Sequence, residues 1–395
     1  MLLTWTNRLK RRTRRIAWIA AVLLLICSSE SWSIAQQIRP GVWAGTQLQA
    51  LPLPTDGFQV YFVGELHGIQ QNAEFQVQYL AQLNKTVHLR DLAIEEKSVY
   101  EDRAQAYIDG KSSHLPAQLC LRTSLLCAIR QLNASLKQDE RIRIHLLDID
   151  SPPGAIREHL IEIRNQIPGA VKVSIPEAGK IGQDGLVSVS QLRQFPNDQH
   201  TQSELRTIEY SIRAYQLGFE VGTGPAKGSP FLEDREQAMA DNLMDLIHMS
   251  PARSVLIVCG ADHISRVERK DGGPDRNQPF APMALRLQRS GIRVYSMATF
   301  PLGGSSFWRG SHSDLLWQPA DGHLASGESL DKVLTAAPQA KFFYVDKARE
   351  HVRLPSQDVS NYTVDAFLLF HSATAMKDEC SSTPSNKGDA KSPSH

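Results

Sequence analysis

The sequence has no excess of either charge, few cysteines and no apolar run long enough to cross a bilayer. Its 43 basic and 42 acidic residues leave a formal net charge of +1, which gives no indication of a nucleic-acid partner. The 5 cysteines form no CxxC or Cys/His pattern typical of a zinc knuckle. An apolar run near the amino terminus, Ile16 to Cys27, is too short to span a membrane comfortably. A composition of 42% hydrophobic and 22% charged residues is that of an ordinary globular protein.

The amino terminus has the three parts of a cleavable secretory signal. A basic stretch, "RLKRRTRR", precedes the apolar run, and "SWSIA" follows with small residues at Ser33 and Ala35. We predict a signal peptide over residues 1–35 and an exported protein, periplasmic or secreted, with no stable membrane span after cleavage. A lipoprotein signal that uses Cys27 and an uncleaved membrane anchor are the two alternatives.

Export implies an oxidising compartment, in which four cysteines would remain: Cys120, Cys127, Cys259 and Cys380. Cys120 and Cys127 are two turns apart on an expected helix, so a disulfide between them would require local unwinding. We interpret both as small apolar core residues, and whether they pair stays open. Cys259, in the middle of the apolar run "VLIVCG", is expected to be buried.

Apolar segments that end in polar residues alternate with stretches of helical periodicity. This pattern predicts an α/β fold with a mainly parallel central sheet flanked by helices. The expected strands lie within residues 58–65, 89–96, 141–150, 254–263, 292–300, 340–348 and 364–372.

One large domain is expected over residues 36–375. Residues 169–228 have weaker patterning and are interpreted as a largely helical insertion or lid. An amphipathic helix follows over residues 233–249. Residues 376–395 are rich in Ser, Lys and Pro and are expected to be a disordered tail.

Four of the expected strands end in ionisable groups. Ligands bind outside the carboxyl ends of strands in such sheets, so these groups are candidates for one site. Glycines at positions 64 and 260 each end a strand three residues before a histidine, and leave room for a sharp turn. Because side chains alternate along a strand, only one of Glu95 and Glu96 can face the crevice. The strand-end groups are Glu65 and His67, Glu95 and Glu96, Asp148 and Asp150, and Asp262 and His263.

Two imidazoles with two or more carboxylates suit two kinds of chemistry. They could bind a divalent metal such as zinc, manganese or cobalt. They equally suit metal-free activation of water, in which His67 takes a proton. Asp148 and Asp150 are expected to orient an imidazole, and His145 to be a satisfied core histidine. Arg235 either belongs to the site or pairs with an acidic neighbour, Glu233 or Asp241, on a solvated helix face.

The sequence has two G-x-x-H elements, a strand-ending glutamate in "LAIEE" and an arginine in "DREQAMADNL". In these features it resembles the superfamily of erythromycin esterase-like proteins, TraB and Tiki metalloproteases and ChaN-like haem-binding proteins. The likeness covers roughly residues 60–375, and "GELHGIQQNAEF" is similar to the opening motif of the erythromycin esterase-like branch. It implies that His67 is the general base and that Arg235 contacts an anion or oxyanion. Glu65 and Glu95 would be carboxylate partners of His67 or, with His67 and His263, metal ligands.

The spacing of Glu65 and His67 departs from the macrolide esterases. Leu66 alone separates the two residues, which is nearer the Tiki and ChaN-like pattern and argues against macrolide hydrolysis. We therefore predict an exported hydrolase that cleaves an ester or amide in a small molecule or peptide. The alternative is a ChaN-like protein that binds haem or another ligand without catalysis.

Overall fold

The computed structural model describes residues 35–217, 229–250, 253–270, 279–308, 311–314, 323–324, 328–350, 352–353 and 363–376. The predicted signal peptide and tail lie outside these residues, apart from Ala35 and Met376. No helix in this part of the chain is long and apolar enough to cross a membrane.

The described strands form one nine-stranded sheet and three small antiparallel pairs. The order in the large sheet is β1-β2-β13-β15-β9-β3-β6-β4-β5, and the pairs are β7-β8, β10-β11 and β12-β14. The strands are β1 (Gln36–Arg39), β2 (Val42–Gly45), β3 (Val60–Glu65), β4 (Asp91–Lys97), β5 (Arg143–Asp148), β6 (Val255–Gly260), β7 (Arg269–Lys270), β8 (Pro279–Phe280), β9 (Val294–Pro301), β10 (Ser305–Trp308), β11 (Ser311–Asp314), β12 (His323–Leu324), β13 (Phe342–Asp346), β14 (Val352–Arg353) and β15 (Ala366–Phe370).

The large sheet is parallel from β15 to β5 and antiparallel at its other side. Neighbours in the run β15-β9-β3-β6-β4-β5 pair in parallel. Strands β1, β2, β13 and β15 pair antiparallel to one another. The prediction of a mainly parallel sheet is confirmed, whereas the sequence analysis did not anticipate the β1-β2 hairpin.

Helices cover both faces of the sheet. They are α1 (Gln70–Val87), α2 (Glu101–Ile108), α3 (Thr123–Ser135), α4 (Pro153–Gln166), α5 (Ile181–Leu192), α6 (Gln199–Gln216), α7 (Ser229–Met249), α8 (Met283–Arg289) and α9 (Leu330–Thr335). Side chains of β3 alternate between two cores: Phe62 packs in the cluster that contains Leu243 of α7, and Tyr61 in the cluster that contains Leu80 of α1. Because side chains alternate between the two faces of the sheet and both faces are buried, these strands appear as continuous apolar runs in the sequence.

The described residues between β5 and α7, 149–217, are largely helical, as predicted. Helices α4, α5 and α6 share an apolar cluster of their own, which includes Leu160, Val189 and Ile208. This cluster shows why the region has weak strand patterning: its apolar residues pack helix against helix. Its role as a lid stays a prediction.

Strand β5 is the outer strand on the parallel side of the sheet. Two side chains of α2 accept hydrogen bonds from its backbone: Glu101 from the amide of Leu146 at 2.7 Å, and Gln105 from the amide of Ile144 at 2.8 Å. Residues four apart lie on one face of a helix, so α2 presents both acceptors along β5. The α2 helix thus covers this edge of the sheet with side-chain hydrogen bonds.

The expectation for Cys120 was wrong. Cys120 is disulfide-bonded, whereas Cys127 and Cys259 are free, so Cys120 and Cys127 do not pair. The helix expected through both cysteines is interrupted, because Cys120 lies in a 3-10 helix, Ala117–Arg122, with non-helical torsion angles at Leu119. Cys259 is buried, as predicted.

Candidate active site

Four of the predicted site residues lie together at the carboxyl ends of the parallel strands. His67 Nδ1 is 3.0 Å from Glu65 Oε1, and His67 Nε2 is 3.9 Å from Glu95 Oε2. His263 Nε2 is 3.0 Å from Glu95 Oε1. Glu95 therefore lies between the two imidazoles, and the strand ends converge as the parallel topology predicts.

The two strand-ending glycines permit this convergence. Strands β3 and β6 are parallel neighbours, and Glu65 is in register with Gly260. A Cβ atom at Gly260 would lie 3.0 Å from His67 Nε2 and 3.3 Å from Glu95 Oε2. At Gly64 it would collide with the side chain of Ile264. Each glycine is thus required by the close approach of a neighbouring residue.

Glu65 is buried and has a partner on each oxygen. The guanidinium of Arg122 donates to Oε1, and the amide of Gln76 donates to Oε2. Burial alone would raise the pKa of Glu65, but Arg122 and His67 outweigh it and lower this pKa to about 2. An ionised carboxylate only accepts hydrogen bonds, so the Nδ1 of a neutral His67 carries the proton and its Nε2 has the lone pair.

Glu95 is held by three donors from outside β4. Its Oε2 accepts the backbone N–H of Gly260 at 2.6 Å, and its Oε1 accepts from Arg235 as well as from His263. Arg235 also donates to both oxygens of Asp148, at 2.8 and 2.6 Å. Burial opposes ionisation of Glu95, but His263 and Arg235 hold its pKa well below the usual range. Arg235 thus lies at the site and not on a solvated helix face with Glu233 or Asp241.

His263 is buried between two carboxylates. Its Nδ1 bonds to Glu236 and its Nε2 to Glu95. Burial disfavours a charged imidazole, but the two carboxylates outweigh it and raise the pKa of His263 well above its usual value. The two carboxylates therefore favour the imidazolium form of His263.

Glu96 also joins the network, from the face of β4 opposite to Glu95, as strand alternation predicts. Its carboxylate accepts from Arg122 Nε at 3.0 Å, on the same guanidinium that binds Glu65. Alternation along β4 continues to this point: Leu92 and Ile94 pack in the cluster that contains Leu80 of α1, so Glu96 lies on that face and Glu95 on the α7 face. Burial raises the pKa of Glu96, and Arg122 opposes this increase.

The other strand-end groups have separate partners. Asp148 binds Arg235 rather than orienting an imidazole, which corrects the expectation for this residue. Asp150 does hold an imidazole, His159, at 2.6 Å, but this is a second buried pair away from the strand ends that carry His67 and His263. Asp262 is largely exposed and pairs with Arg269. His145 is satisfied by Asp91 at 3.0 Å, as expected for a core histidine.

The sequence analysis did not identify Arg122, Glu236 or Gln76 as site residues. Each lies on a helical segment, where no strand-end pattern indicates that it reaches the crevice. A signal was present for Glu236, which directly follows Arg235. Near them, Asn72 Nδ2 donates to the carbonyl of Leu66 at 2.7 Å and fixes the turn that carries His67.

The predicted metal ligands do not fit a divalent cation. Among the described residues, no group of three or more His, Cys, Asp and Glu side chains is placed to hold a metal. Guanidinium groups already occupy an oxygen of each of the two predicted carboxylate ligands, Glu65 and Glu95. A bound metal would have to displace these cations, so we derive no step through a metal. A haem would need an axial ligand, and His263 is hydrogen-bonded to a carboxylate through each of its ring nitrogens.

The fold is shared with solved structures of low sequence identity. A mutant erythromycin esterase in its open conformation superposes with a TM-score of 0.57 at 12% identity, covering 82% of this chain and 92% of that one. A protein from Bacillus cereus superposes with a TM-score of 0.59 at 13% identity, covering 82% and 90%. A succinoglycan biosynthesis protein gives 0.57 at 11%, covering 80% and 88%.

At this identity the likeness shows the fold and nothing finer. The chain therefore has the fold of erythromycin esterase, an α/β fold with a mainly parallel sheet. No protein-family model matches the sequence. A search of curated proteins also finds no match.

Proposed function

We propose that the chain is a hydrolase in which His67 activates water to cleave an ester or amide. The observation that carries this proposal is the difference in solvent exposure between the side chain of His67 and those of its neighbours. The side chain of His67 is 23% exposed, whereas Glu65 is 4% and His263 is 7% exposed. A histidine that reaches solvent, with its tautomer fixed by a buried carboxylate, has the arrangement of a general base.

The reaction follows from these roles. His67 Nε2 accepts a proton from water, and the oxygen of that water forms a bond to the carbonyl carbon of the substrate. The bond from this carbon to the leaving oxygen or nitrogen then breaks, and the imidazolium of His67 returns its proton to the leaving group. Glu65 stabilises the transient imidazolium through Nδ1–H, since it remains ionised. General-base assistance of this kind typically contributes about 10² to 10⁴ in rate.

A His67→Asn variant tests the base directly. Asparagine keeps a similar size and hydrogen bonding but has no proton acceptor, so we expect turnover to fall by about 10² to 10⁴ with little change in melting temperature. A suitable control is His200→Asn, because His200 is 63% exposed on α6. Substrates would be a panel of chromogenic esters, peptides and a macrolactone. A destabilised variant with full activity per folded molecule would show that the Glu65–His67 pair is structural only.

The shared fold and the motifs together support a place in the erythromycin esterase-like superfamily. We propose a small molecule or peptide as the substrate, and the Glu65–Leu66–His67 spacing argues against a macrolide. The same proposal includes removal of residues 1–35 and export of the protein. Residues 36–375 would form the working domain, and residues 169–228 its lid. The disulfide at Cys120 supports only the export, since disulfides persist in oxidising compartments.

A further inference from the structure

Glu236 closes a ring of charged residues behind the proposed base. It follows Arg235 on α7, and its side chain is 1% exposed. Arg235 binds Glu95, Glu95 binds His263, and His263 binds Glu236. Neighbouring residues on a helix point in directions about 100° apart. Helix α7 therefore reaches Glu95 with one residue and His263 with the next.

Both oxygens of Glu236 are in use. Oε1 faces His263 Nδ1, and Oε2 accepts the backbone N–H of Met283 at 2.7 Å, at the start of α8. This second bond fixes the orientation of the carboxylate, so Glu236 cannot turn away from the imidazole without leaving a buried amide unpaired. The position of His263 is thus set by α7 and α8 together.

The geometry determines which protons His263 carries. A neutral imidazole has one N–H donor and one acceptor nitrogen, whereas an imidazolium donates from both nitrogens. The titratable groups that face the ring are Glu236 on Nδ1 and Glu95 on Nε2, and both are acceptors when ionised. With both carboxylates ionised, only the doubly protonated ring satisfies both contacts. His67, in contrast, has one carboxylate at 3.0 Å and the other at 3.9 Å.

We propose that Glu236 is a positioning residue that keeps His263 doubly protonated against Glu95, so that His67 is the histidine that takes the proton of water. This division of roles rests on the proposed function. Without Glu236, His263 would lose one of its two charge partners, and Glu95 would lose part of the positive charge that compensates it. Both changes would alter the charge of the His263–Glu95 pair beside the base, His67, and would not affect the binding of substrate.

The first measurement does not require a substrate. Nitrogen-15 spectra of the full mature chain, labelled at histidine, report the protonation of each ring nitrogen, and a His263→Gln spectrum assigns the signal. At pH 7 we expect both nitrogens of His263 to be protonated in the wild type and in Glu236→Asp, which retains the charge. In Glu236→Gln we expect one proton to be lost. A neutral His263 in the wild type would overturn the proposal, even if every variant of Glu236 failed to fold.

The second measurement separates positioning from stability. We expect Glu236→Gln to lower kcat at least tenfold on any hydrolysed ester while KM changes less than threefold, with Glu236→Asp restoring part of kcat. The matched control is Glu233→Gln, the same change on the same helix at a residue whose side chain is 48% exposed and pairs with Arg286. A Glu236→Gln protein that melts earlier but keeps its kcat, or keeps both protons on His263, would refute the proposal. If His263 is doubly protonated but His67→Asn does not affect hydrolysis, the proposed function fails. The role of Glu236 in keeping His263 doubly protonated would then hold without it.

Discussion

Replacing Gly260 by alanine should displace His67 without unfolding the protein. The added Cβ would lie 3.0 Å from His67 Nε2 and 3.5 Å from His67 Cε1. Optimal contacts between such atoms are about 3.5 to 4.0 Å, so the ring must move by about 0.5 Å. The backbone at Gly260 has φ −57° and ψ 146°, which alanine adopts without strain. The substitution also stabilises the fold by restricting the unfolded chain, by about 0.4 to 1 kcal/mol.

The expected result is a loss of rate and not of stability. A misplacement of about 1 Å can cost about 100-fold in rate, so half that distance should cost about tenfold in kcat. The assay pairs initial rates on a chromogenic ester with thermal unfolding of the same sample. Gly154→Ala is the control, because a Cβ there meets no atom within 4 Å. If Gly260→Ala retained wild-type kcat without a loss of melting temperature, the position of His67 would not control the rate and His67 could not be the general base.

Other predictions concern charge, cofactors and processing. Burial lowers the pKa of His159, but Asp150 and Glu204 outweigh it and raise the pKa to about 10. The stability this pair provides should thus be complete below about pH 6.5 and lost as the pH rises towards 10; denaturant unfolding across this range should show a flatter profile for His159→Gln. Arg122→Met leaves the buried carboxylate Glu65 without its cation and should cost about 3 to 5 kcal/mol, whereas Arg143→Met, at a residue 45% exposed, should cost less than about 1 kcal/mol in the same measurement. Treatment with a chelator should leave hydrolysis intact, and a loss of activity that zinc, manganese or cobalt restores would contradict this. A Soret band on adding hemin would favour the haem-binding alternative. Mass spectrometry of the exported chain should find Gln36 at its amino terminus, whereas an intact Met1 or a lipid on Cys27 would exclude cleavage after Ala35.

The strand ends could be predicted from the sequence because two independent regularities agree there. Buried parallel strands appear as continuous apolar runs, and their carboxyl ends lie at one edge of the sheet. Glu65, His67, Glu95 and His263 were therefore placed together from topology alone. Alternation also put Glu96 on the face opposite to Glu95, but nothing in the residues of β4 indicated that Arg122 reaches it there.

The partners of these residues could not be predicted in the same way. Arg122 is the last residue of a 3-10 helix, and Glu236 lies within a long helix, so neither has a sequence position that fixes its direction in space. Their roles follow from how helices pack on the sheet, which depends on contacts between residues far apart in the chain. The β1-β2 hairpin was missed for a related reason: strands of four residues are too short to show a clear apolar pattern.

The side chains of α2 along β5 have a consequence for how separate molecules meet. A strand at the border of a sheet usually offers its backbone donors to any extended chain that approaches. At Ile144 and Leu146 those donors are already engaged by Gln105 and Glu101. A strand from a second molecule would have to displace a helix before it could pair there. The α2 helix therefore protects this border against the chain-to-chain stacking from which fibrils and aggregates grow.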